Sequence, residues 1–211
     1  KEGVFLFSLR LPWHISYRPG DFIKISLEDK GEGRLYSIVS LMPSIGIPGE
    51  NIRSSLIGVL IKPVGEISEA ICSLREDDIL YVSFDMGNTF GGLQEYPEKG
   101  IANIFFAGGT GIAPFLSFYS KATSLWFVST KTFSERDFYR ELIKDRHPNS
   151  MCLYAVSREG RKNHIQDLLE EIDIPAAAHS YVCGTEDFVV DVQQYLTNVK
   201  QVKNISTDMY I

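Results

Sequence analysis

The 211-residue sequence has few of the residues that build metal centres or disulfide frameworks. It holds 3 cysteines and 4 histidines, and none of them falls at the close spacing that a zinc site requires. Cys72, Cys152 and Cys183 are far apart and odd in number, so they cannot all pair. We therefore expect reduced thiols and no bound metal, which is typical of a cytoplasmic protein.

Other absences exclude whole classes of function. No apolar run approaches the roughly 20 residues that a helix needs to span a bilayer. The net charge of −6 makes nucleic acids and anionic membrane surfaces unsuitable partners. The chain also lacks the Gly-x-Ser-x-Gly elbow of serine hydrolases and the Gly-x-x-x-x-Gly-Lys-Ser/Thr loop of P-loop nucleotidases. These absences leave small-molecule binding and redox chemistry open.

The first half of the chain contains short apolar segments rich in Val, Ile, Phe and Tyr, separated by turn signals such as Pro19-Gly20. This spacing predicts an antiparallel barrel or sandwich. The predicted strands cover residues 4–11, 22–27, 35–41, 56–62 and 79–84, and a short helix is predicted at 67–74.

The second half has a different rhythm, in which strand-like and helix-like segments alternate. This pattern predicts a parallel sheet with helices on both faces, and ligands of such sheets bind beyond the carboxyl ends of the strands. A polar stretch at residues 94–100 marks the boundary between the halves. The predicted strands are 104–107, 125–129, 151–156 and 181–183, and the predicted helices are 113–122, 135–145, 165–171 and 187–198.

The most informative segment begins where the apolar run at 104–107 ends. Three glycines and a threonine follow, and then a helical pattern with Pro114 in its first turn, where a missing N–H costs nothing. Such a loop lets backbone N–H groups approach a phosphate closely, although an ordinary strand-to-helix turn is the alternative. We name residues 108–111 the glycine loop; they are Gly108, Gly109, Thr110 and Gly111.

Two other motifs flank this loop in the sequence. One is Arg34-Leu35-Tyr36-Ser37, which follows a Pro-Gly-Asp-Phe turn, and the other is Cys183-Gly184. In this order the three motifs resemble the ferredoxin–NADP reductase family of flavoproteins. The resemblance implies an N-terminal antiparallel flavin-binding β-barrel at residues 1–97. It also implies a C-terminal Rossmann-like NAD(P)-binding domain with a parallel sheet at residues 98–211.

In that family the Arg-x-Tyr-Ser strand lies along the flavin. The resemblance implies that Tyr36 stacks on the isoalloxazine ring and that Ser37 places its hydroxyl near N5, the hydride acceptor. Arg34 is expected to bind a flavin phosphate, a charge-assisted contact, and Leu35 belongs to the same binding strand. The alternatives are a half-buried strand tyrosine and a solvated arginine.

A second flavin phosphate site is expected at the predicted helix after residue 65. Gly65, Ile67 and Ser68 would offer N–H groups and a hydroxyl to the pyrophosphate, and Lys62 is expected to assist. A simple serine N-cap and a surface lysine are the alternatives. Most members of the family use FAD, so FAD is the expected cofactor and FMN is the alternative.

On the nicotinamide side, the glycine loop is expected to hold the dinucleotide pyrophosphate, with Thr110 as a hydroxyl donor. The resemblance places Cys183 beside the nicotinamide C4 atom, where its small polarizable side chain permits close approach, and Gly184 beside it. A buried small residue at a strand end is the alternative for Cys183.

The segment after the strand at 151–156 is basic. In NADP-using members a Ser/Thr-Arg pair here holds the 2′-phosphate, for which the planar guanidinium is well suited. NADPH is therefore expected, NADH is the less favoured nucleotide, and a solvated basic loop is the alternative. The residues concerned are Ser157, Arg158, Arg161 and Lys162.

Near the C-terminus, Asp208 and Tyr210 match the carboxylate-x-aromatic ending of plant-type reductases. There the aromatic ring covers the second flavin face and the carboxylate lies near N5. A final edge strand at 205–210 is the alternative. The candidate catalytic residues are thus Ser37, Cys183, Asp208 and Tyr210.

The function implied by the resemblance is transfer of hydride from NADPH to FAD, followed by electron transfer to a small redox protein or another acceptor. Two alternatives stay open: a reductase module or subunit of an oxygenase, haemoprotein or dihydroorotate dehydrogenase system, and a non-catalytic flavin- or nucleotide-binding regulator. Dihydroorotate dehydrogenase subunits carry a C-terminal cysteine cluster. Because Cys183 is the last cysteine, the sequence disfavours that variant.

Overall fold

The structure, a computed structural model, describes residues 3–41, 51–84, 87–88, 90, 103–118, 123–159, 164–176 and 178–210. Within these ranges two five-stranded sheets follow one another along the chain. The predicted boundary at 94–100 lies outside the described residues, so the domain limits stay a prediction.

The first sheet is antiparallel and has the strand order β1-β4-β3-β2-β5. Its inward side chains are mainly β-branched residues that pack well on a pleated surface, among them Ile23, Ile25 and Ile57. The sheet forms a half-barrel, with one short helix before β5. The elements are β1 Phe5–Tyr17, β2 Phe22–Ser26, β3 Gly33–Val39, β4 Ile52–Ile61, α1 Glu66–Ile71 and β5 Tyr81–Ser83.

Strand β3 is paired unequally on its two sides. All five residues of β2 pair with residues 33–37 of β3, whereas β4 pairs with β3 only at Ile38 and Val39. The described ladder therefore leaves residues 33–37 without a strand partner on the β4 side. Residues 34–37 of that stretch carry the Arg-x-Tyr-Ser motif.

The second sheet is parallel throughout and has the order β10-β9-β6-β7-β8. Its central strands are buried on both faces and read as continuous apolar runs. Separate apolar clusters cover the two faces, one with α2 and α3 and the other with α4 and α5. The elements are β6 Asn103–Gly108, a 3₁₀ turn Gly109–Ile112, α2 Ala113–Leu116, β7 Leu125–Thr130, α3 Phe133–Arg146, β8 Met151–Val156, α4 Ile165–Leu169, β9 His179–Thr185, α5 Glu186–Asn198 and β10 Asn204–Tyr210.

The predicted fold class is confirmed, with differences in detail. Helix α2 is shorter than the predicted 113–122: Pro114 lies in its first turn as expected, the helix ends at Leu116, and residues 119–122 lie outside the described part. The last strand, β10, corresponds to the edge strand that the sequence offered as an alternative for residues 205–210.

The two halves share apolar and polar contacts. Val39 and Leu60 of the first sheet pack in the same cluster as α2 and α3. Lys62, predicted to assist a flavin phosphate, has a different partner: its ammonium forms a salt bridge with the buried Glu135 on α3. Burial pushes the pKa of Glu135 upward, but bonds from Lys62 and from the Lys131 N–H outweigh it and lower that pKa below its usual range.

His147, directly after α3, is buried against Trp126 with ring centroids 4.9 Å apart. Burial lowers the pKa of His147 from 6.5 to about 4, against a raising contribution from the Phe115 backbone and with a further lowering contribution from the Arg146 charge. The neutral ring is therefore the form that the folded chain accommodates.

We expect the chain to lose stability in mild acid because of His147. The folded pKa lies below the unfolded value, so the contribution is complete above pH 6.5 and is lost as pH falls toward 4, by at most about 3 kcal/mol. Urea unfolding of wild type and His147→Phe at pH 7 and pH 4.5 measures this, with His14→Phe, an exposed histidine, as the control. An equal loss of stability in wild type and His147→Phe would contradict the assignment.

Candidate functional site

The candidate site lies at the carboxyl edge of the parallel sheet, where β6 and β9 end side by side. Ala107 pairs with Cys183, and the 3₁₀ turn after β6 folds back onto the end of β9. A Cβ atom at Gly111 would overlap the Cys183 carbonyl oxygen and lie 3.0 Å from the Gly184 nitrogen. Because only glycine permits this approach, the glycine loop and the Cys-Gly pair are brought into direct contact.

The other residues of the loop complete this edge. Gly109 has a φ of +56°, a left-handed conformation that glycine adopts without strain. Cβ atoms at Gly108 and Gly184 would come within 2.9 and 2.5 Å of the Phe188 ring. Thr110, in the same turn, is half-buried. The Phe188 ring, in the first turn of α5, therefore lies against one side of this edge.

Cys183 is buried and faces the edge strand. Its side chain is 2% exposed, and its thiol donates to the Asp208 carboxylate, with 3.8 Å between Sγ and Oδ2. Burial raises the pKa of the Cys183 thiol well above its usual value, and the Asp208 charge raises it further. Cys183 is thus a neutral, polarizable thiol rather than a thiolate nucleophile.

Tyr210 packs on the glycine loop. Its hydroxyl donates to the Gly108 carbonyl oxygen at 2.5 Å. Burial raises the pKa of Tyr210 to about 12, although a hydrogen bond with the Thr110 side chain acts in the opposite direction. Tyr210 and Asp208 therefore lie at the same edge as Cys183, and the expected cover of a flavin face by Tyr210 stays a prediction.

The Arg-x-Tyr-Ser motif lies on the unequally paired strand β3. The Arg34 and Leu35 side chains are largely exposed, whereas Tyr36 and Ser37 are half-buried. Burial raises the pKa of the Tyr36 phenol, Cys72 raises it further and the Arg34 charge opposes them. Tyr36 is therefore a half-buried ring near Cys72 and the Arg34 charge, and its stacking on a flavin stays a prediction.

Helix α1 follows Gly65, whose backbone conformation is one that favours glycine. Gly65 has a φ of +92°, and nothing lies within 4 Å of the position that a Cβ would take. The Ser68 hydroxyl donates to the Gly65 carbonyl at 3.0 Å and accepts from the Val64 N–H at 2.8 Å. It is therefore engaged inside the turn. Ile67 packs against the core of the first half, so a phosphate contact at this turn, which stays a prediction, would fall to its backbone N–H groups.

The predicted 2′-phosphate segment follows β8. The Ser157 and Arg158 side chains are exposed, and their backbone N–H groups bond to carbonyls at the end of β7 and just beyond it. The Glu159 carboxylate accepts from the Phe133 N–H at 2.5 Å, at the start of α3. The Glu159 carboxylate is therefore hydrogen-bonded to the N-terminus of α3. The other two predicted residues, Arg161 and Lys162, lie outside the described residues.

Sequence reasoning missed two residues next to the site. The Phe90 ring lies 5.4 Å from that of Phe115 and 5.7 Å from that of Tyr181, between centroids. The Ser117 hydroxyl, at the end of α2, hydrogen-bonds to the backbone of β3 and of the residues that follow it. Phe90 has no periodic pattern around it. The signal for Ser117 was a hydroxyl directly after four buried apolar residues.

The described part of the chain also bears on metal binding and on membrane crossing. It contains no group of three or more His, Cys, Asp or Glu side chains placed to hold a metal ion. None of its helices combines the length and the apolar character that a membrane crossing needs.

Comparison with known proteins identifies relatives along most of the chain. No protein-family profile matches. A probable dihydroorotate dehydrogenase B (NAD(+)) electron transfer subunit from Thermoplasma acidophilum is 27% identical over 200 residues, covering 94% of this chain and 70% of its own length. The chloroplastic ferredoxin–NADP reductase of Chlamydomonas reinhardtii is 31% identical over 134 residues, covering 51% of this chain and 38% of its own length.

Solved structures agree on the fold. The ferredoxin–NADP reductase of Neisseria gonorrhoeae, determined with bound FAD and NADP, superposes with a TM-score of 0.71 at 18% identity, covering 98% of this chain and 92% of that chain. The cytochrome P450 reductase of Amycolatopsis gives a TM-score of 0.74 at 15% identity. The superposition covers 98% of this chain and 65% of that chain.

The chain therefore has the ferredoxin reductase-like FAD/NAD(P)-binding fold, and the resemblance predicted from the three motifs is confirmed. Its homologues include ferredoxin–NADP reductases and electron transfer subunits of dihydroorotate dehydrogenase B. The second group bears on one expectation. The position of the last cysteine had disfavoured this type of subunit, yet a second such subunit, from Thermoplasma volcanium, is 27% identical over 95% of the chain.

We expect Gly111→Ala to destabilise the chain by about 3 kcal/mol, because the added methyl group must displace the backbone at Cys183. Gly109→Ala is the matched control. Its free energy of unfolding should fall by only about 1 kcal/mol, the cost of alanine in a left-handed conformation. The new Cβ has room, because the nearest atom, the Tyr210 hydroxyl oxygen, is 3.7 Å away. Urea unfolding measures both, and equal losses would show that the close approach is unimportant.

Proposed function

We propose that this chain binds FAD and NADPH, transfers hydride between them, and delivers the electrons to a protein acceptor. In this proposal residues 1–97 form the flavin domain and residues 98–211 the nucleotide domain. The observation that carries it is the direct contact of the glycine loop with Cys183 and Gly184. That contact joins a phosphate-binding turn to a neutral thiol at one sheet edge.

The residues of the first half fit a flavin dinucleotide. Gly65 precedes a helix and has open space at its Cβ position, so a phosphate has access to backbone N–H groups there. Arg34 is an exposed guanidinium that suits a second phosphate contact. Tyr36 is a half-buried aromatic ring for stacking, and Ser37 offers a hydroxyl one residue further along β3. When bound, the flavin would supply the chemistry: it accepts a hydride at N5 and releases electrons singly.

The residues at the sheet edge fit the nicotinamide dinucleotide. The glycine loop lacks side chains that would keep a pyrophosphate away from its N–H groups. Cys183 presents a small uncharged thiol, and Asp208 accepts its hydrogen bond and so fixes its orientation. A charged thiolate here would attract water, whereas the neutral thiol keeps the edge dry. Cys183 therefore orients a ring and excludes water without forming a covalent bond.

The choice of NADPH rests on the segment after β8. Arg158 is exposed and makes no salt bridge among the described residues, so its guanidinium is available to a 2′-phosphate. The neighbouring carboxylate of Glu159 is occupied by the Phe133 N–H. An acidic residue engaged at a helix N-terminus repels the phosphate less than a free one does.

A specific second candidate is an electron transfer subunit that serves a separate catalytic subunit. The two Thermoplasma relatives carry that description and match 94% and 95% of this chain. In this case the acceptor is the partner subunit and the nucleotide is NADH. A regulator on the same fold is the remaining alternative. It would bind flavin, but neither nucleotide would reduce that flavin.

We expect anaerobic mixing of the FAD-loaded chain with NADPH to bleach the flavin absorbance rapidly. Cys183→Ala should slow this step about tenfold with flavin still bound, because the ring loses its positioning contact. Cys152→Ala, a half-buried thiol on β8, is the control and should react like wild type. A flavin that neither NADPH nor NADH reduces would refute the proposal and favour the regulator.

Arg158→Ala should weaken NADPH binding about 10- to 100-fold, the usual worth of a charge-assisted contact, and leave NADH binding unchanged. Arg53→Ala removes an exposed arginine of β4 and is the control. Titration of flavin reduction rate against each nucleotide measures the six affinities of wild type and the two variants. Equal effects on NADPH and NADH would rule out the 2′-phosphate contact, and tighter binding of NADH by wild type would favour the dihydroorotate dehydrogenase-type subunit.

A further inference from the structure

One buried hydroxyl connects the two halves of the molecule next to the candidate site. Ser117 is 2% exposed and follows α2. Its hydroxyl donates to the Ile38 carbonyl oxygen at 2.7 Å and accepts from the Ser40 N–H at 2.8 Å. The partners are 79 and 77 residues away in the sequence. A single side chain thus bonds to the backbone on both sides of Val39, the last residue of β3.

A second side chain of the nucleotide half holds the same piece of backbone. Arg146, at the end of α3, donates from Nη2 to the Ser40 carbonyl oxygen at 3.0 Å. Its Nη1 donates to the Leu142 carbonyl at 3.2 Å, which ties the guanidinium to its own helix. Both backbone groups of Ser40 are therefore bonded to side chains from the other half of the chain.

These bonds lie on a short, rigid path between the two cofactor-binding elements. On one side Ser37, the candidate hydroxyl at flavin N5, is the residue before Ile38. On the other side Gly111 is six residues before Ser117, and the residues of α2 between them are all buried. Neither stretch contains an exposed loop that would absorb a displacement.

We infer that Ser117, supported by Arg146, is a positioning residue that sets the separation between the flavin strand and the glycine loop. The inference rests on the proposed function. Hydride transfer requires the reacting atoms to approach to about 3–3.5 Å, and a misplacement of 1 Å costs on the order of 100-fold in rate. A residue that fixes both elements therefore controls the rate without touching either cofactor.

Apolar packing alone does not supply this control. The shared cluster around Val39 and Leu60 is favourable over a range of small displacements, because burial is non-directional. A hydroxyl that donates and accepts at 2.7 and 2.8 Å permits one arrangement, because hydrogen bonds weaken steeply with distance and angle. Ser117→Ala removes the hydroxyl that bonds to the Ile38 carbonyl and the Ser40 N–H, and we expect the interface to shift or to admit water there.

The test uses the full FAD-loaded chain and three variants. Ser117→Ala removes both bonds, and Ser117→Thr keeps a hydroxyl. Ser124→Ala is the matched control, because Ser124 is an equally buried serine whose hydroxyl accepts from Trp126 within the nucleotide half. If Ser117→Ala does not fold, Arg146→Gln replaces it, since this change removes the charge-assisted bond to Ser40 and keeps a polar side chain.

The first readout is hydrogen exchange at the Ser40 amide, which needs no nucleotide. We expect at least about tenfold faster exchange in Ser117→Ala, partial restoration in Ser117→Thr and no change in Ser124→Ala, because opening exposes an amide that was bonded across the interface. Unchanged exchange in Ser117→Ala would overturn the inference, whatever the protein catalyses.

The second readout separates the limiting rate of flavin reduction from nucleotide affinity. We expect Ser117→Ala to lower the limiting rate about 10- to 100-fold, with nucleotide affinity and bound flavin unchanged and with recovery in Ser117→Thr. Lower thermal stability with an unchanged limiting rate would reduce Ser117 to a structural residue and contradict its positioning role. If wild type is reduced by neither nucleotide, the proposed function fails and the positioning role with it, while the exchange measurement decides separately whether Ser117 joins the two halves.

Discussion

The contact between the glycine loop and the end of β9 is the constraint on which the rest of the site depends. There is no room for a Cβ at Gly111 against the Cys183 peptide, so the 3₁₀ turn lies directly on the neighbouring strand. This contact brings Cys183 beside the loop, and the pairing of β9 with β10 brings Asp208 beside Cys183. Tyr210 completes the arrangement by bonding to Gly108.

The junction between the two halves combines apolar packing, which tolerates small displacements, with hydrogen bonds and a salt bridge, which have defined directions. Val39 and Leu60 bury apolar surface against α2 and α3, which favours association without fixing its geometry. Ser117, Arg146 and the Lys62–Glu135 pair add bonds with defined directions. Breaking one partner of such a buried pair leaves an unsatisfied polar group. The relative placement of β3 and the glycine loop is therefore better determined than apolar packing alone would make it.

The two groups of relatives differ, by their names, in the nucleotide as well as in the partner. Ferredoxin–NADP reductases and dihydroorotate dehydrogenase electron transfer subunits share one fold, which this chain also has. In our proposal the acceptor is selected outside the sheet edge, because the groups at that edge contact one another and the nucleotide. The side chains of Arg34 and Leu35 on β3 are exposed, and in our proposal they belong to the strand that lies along the flavin.

Local pattern accounts for most of the fold. The strand at Met151–Val156 has the predicted bounds, and the glycine loop lies between a strand and a helix as expected, because alternation and glycine runs act over a few residues. Only the tertiary structure decided which distant groups meet. It paired Lys62 with Glu135 and set Ser117 on the backbone of β3. A surface charge or a hydroxyl has many partners available to it, and the choice among them depends on how two separately predictable halves pack together.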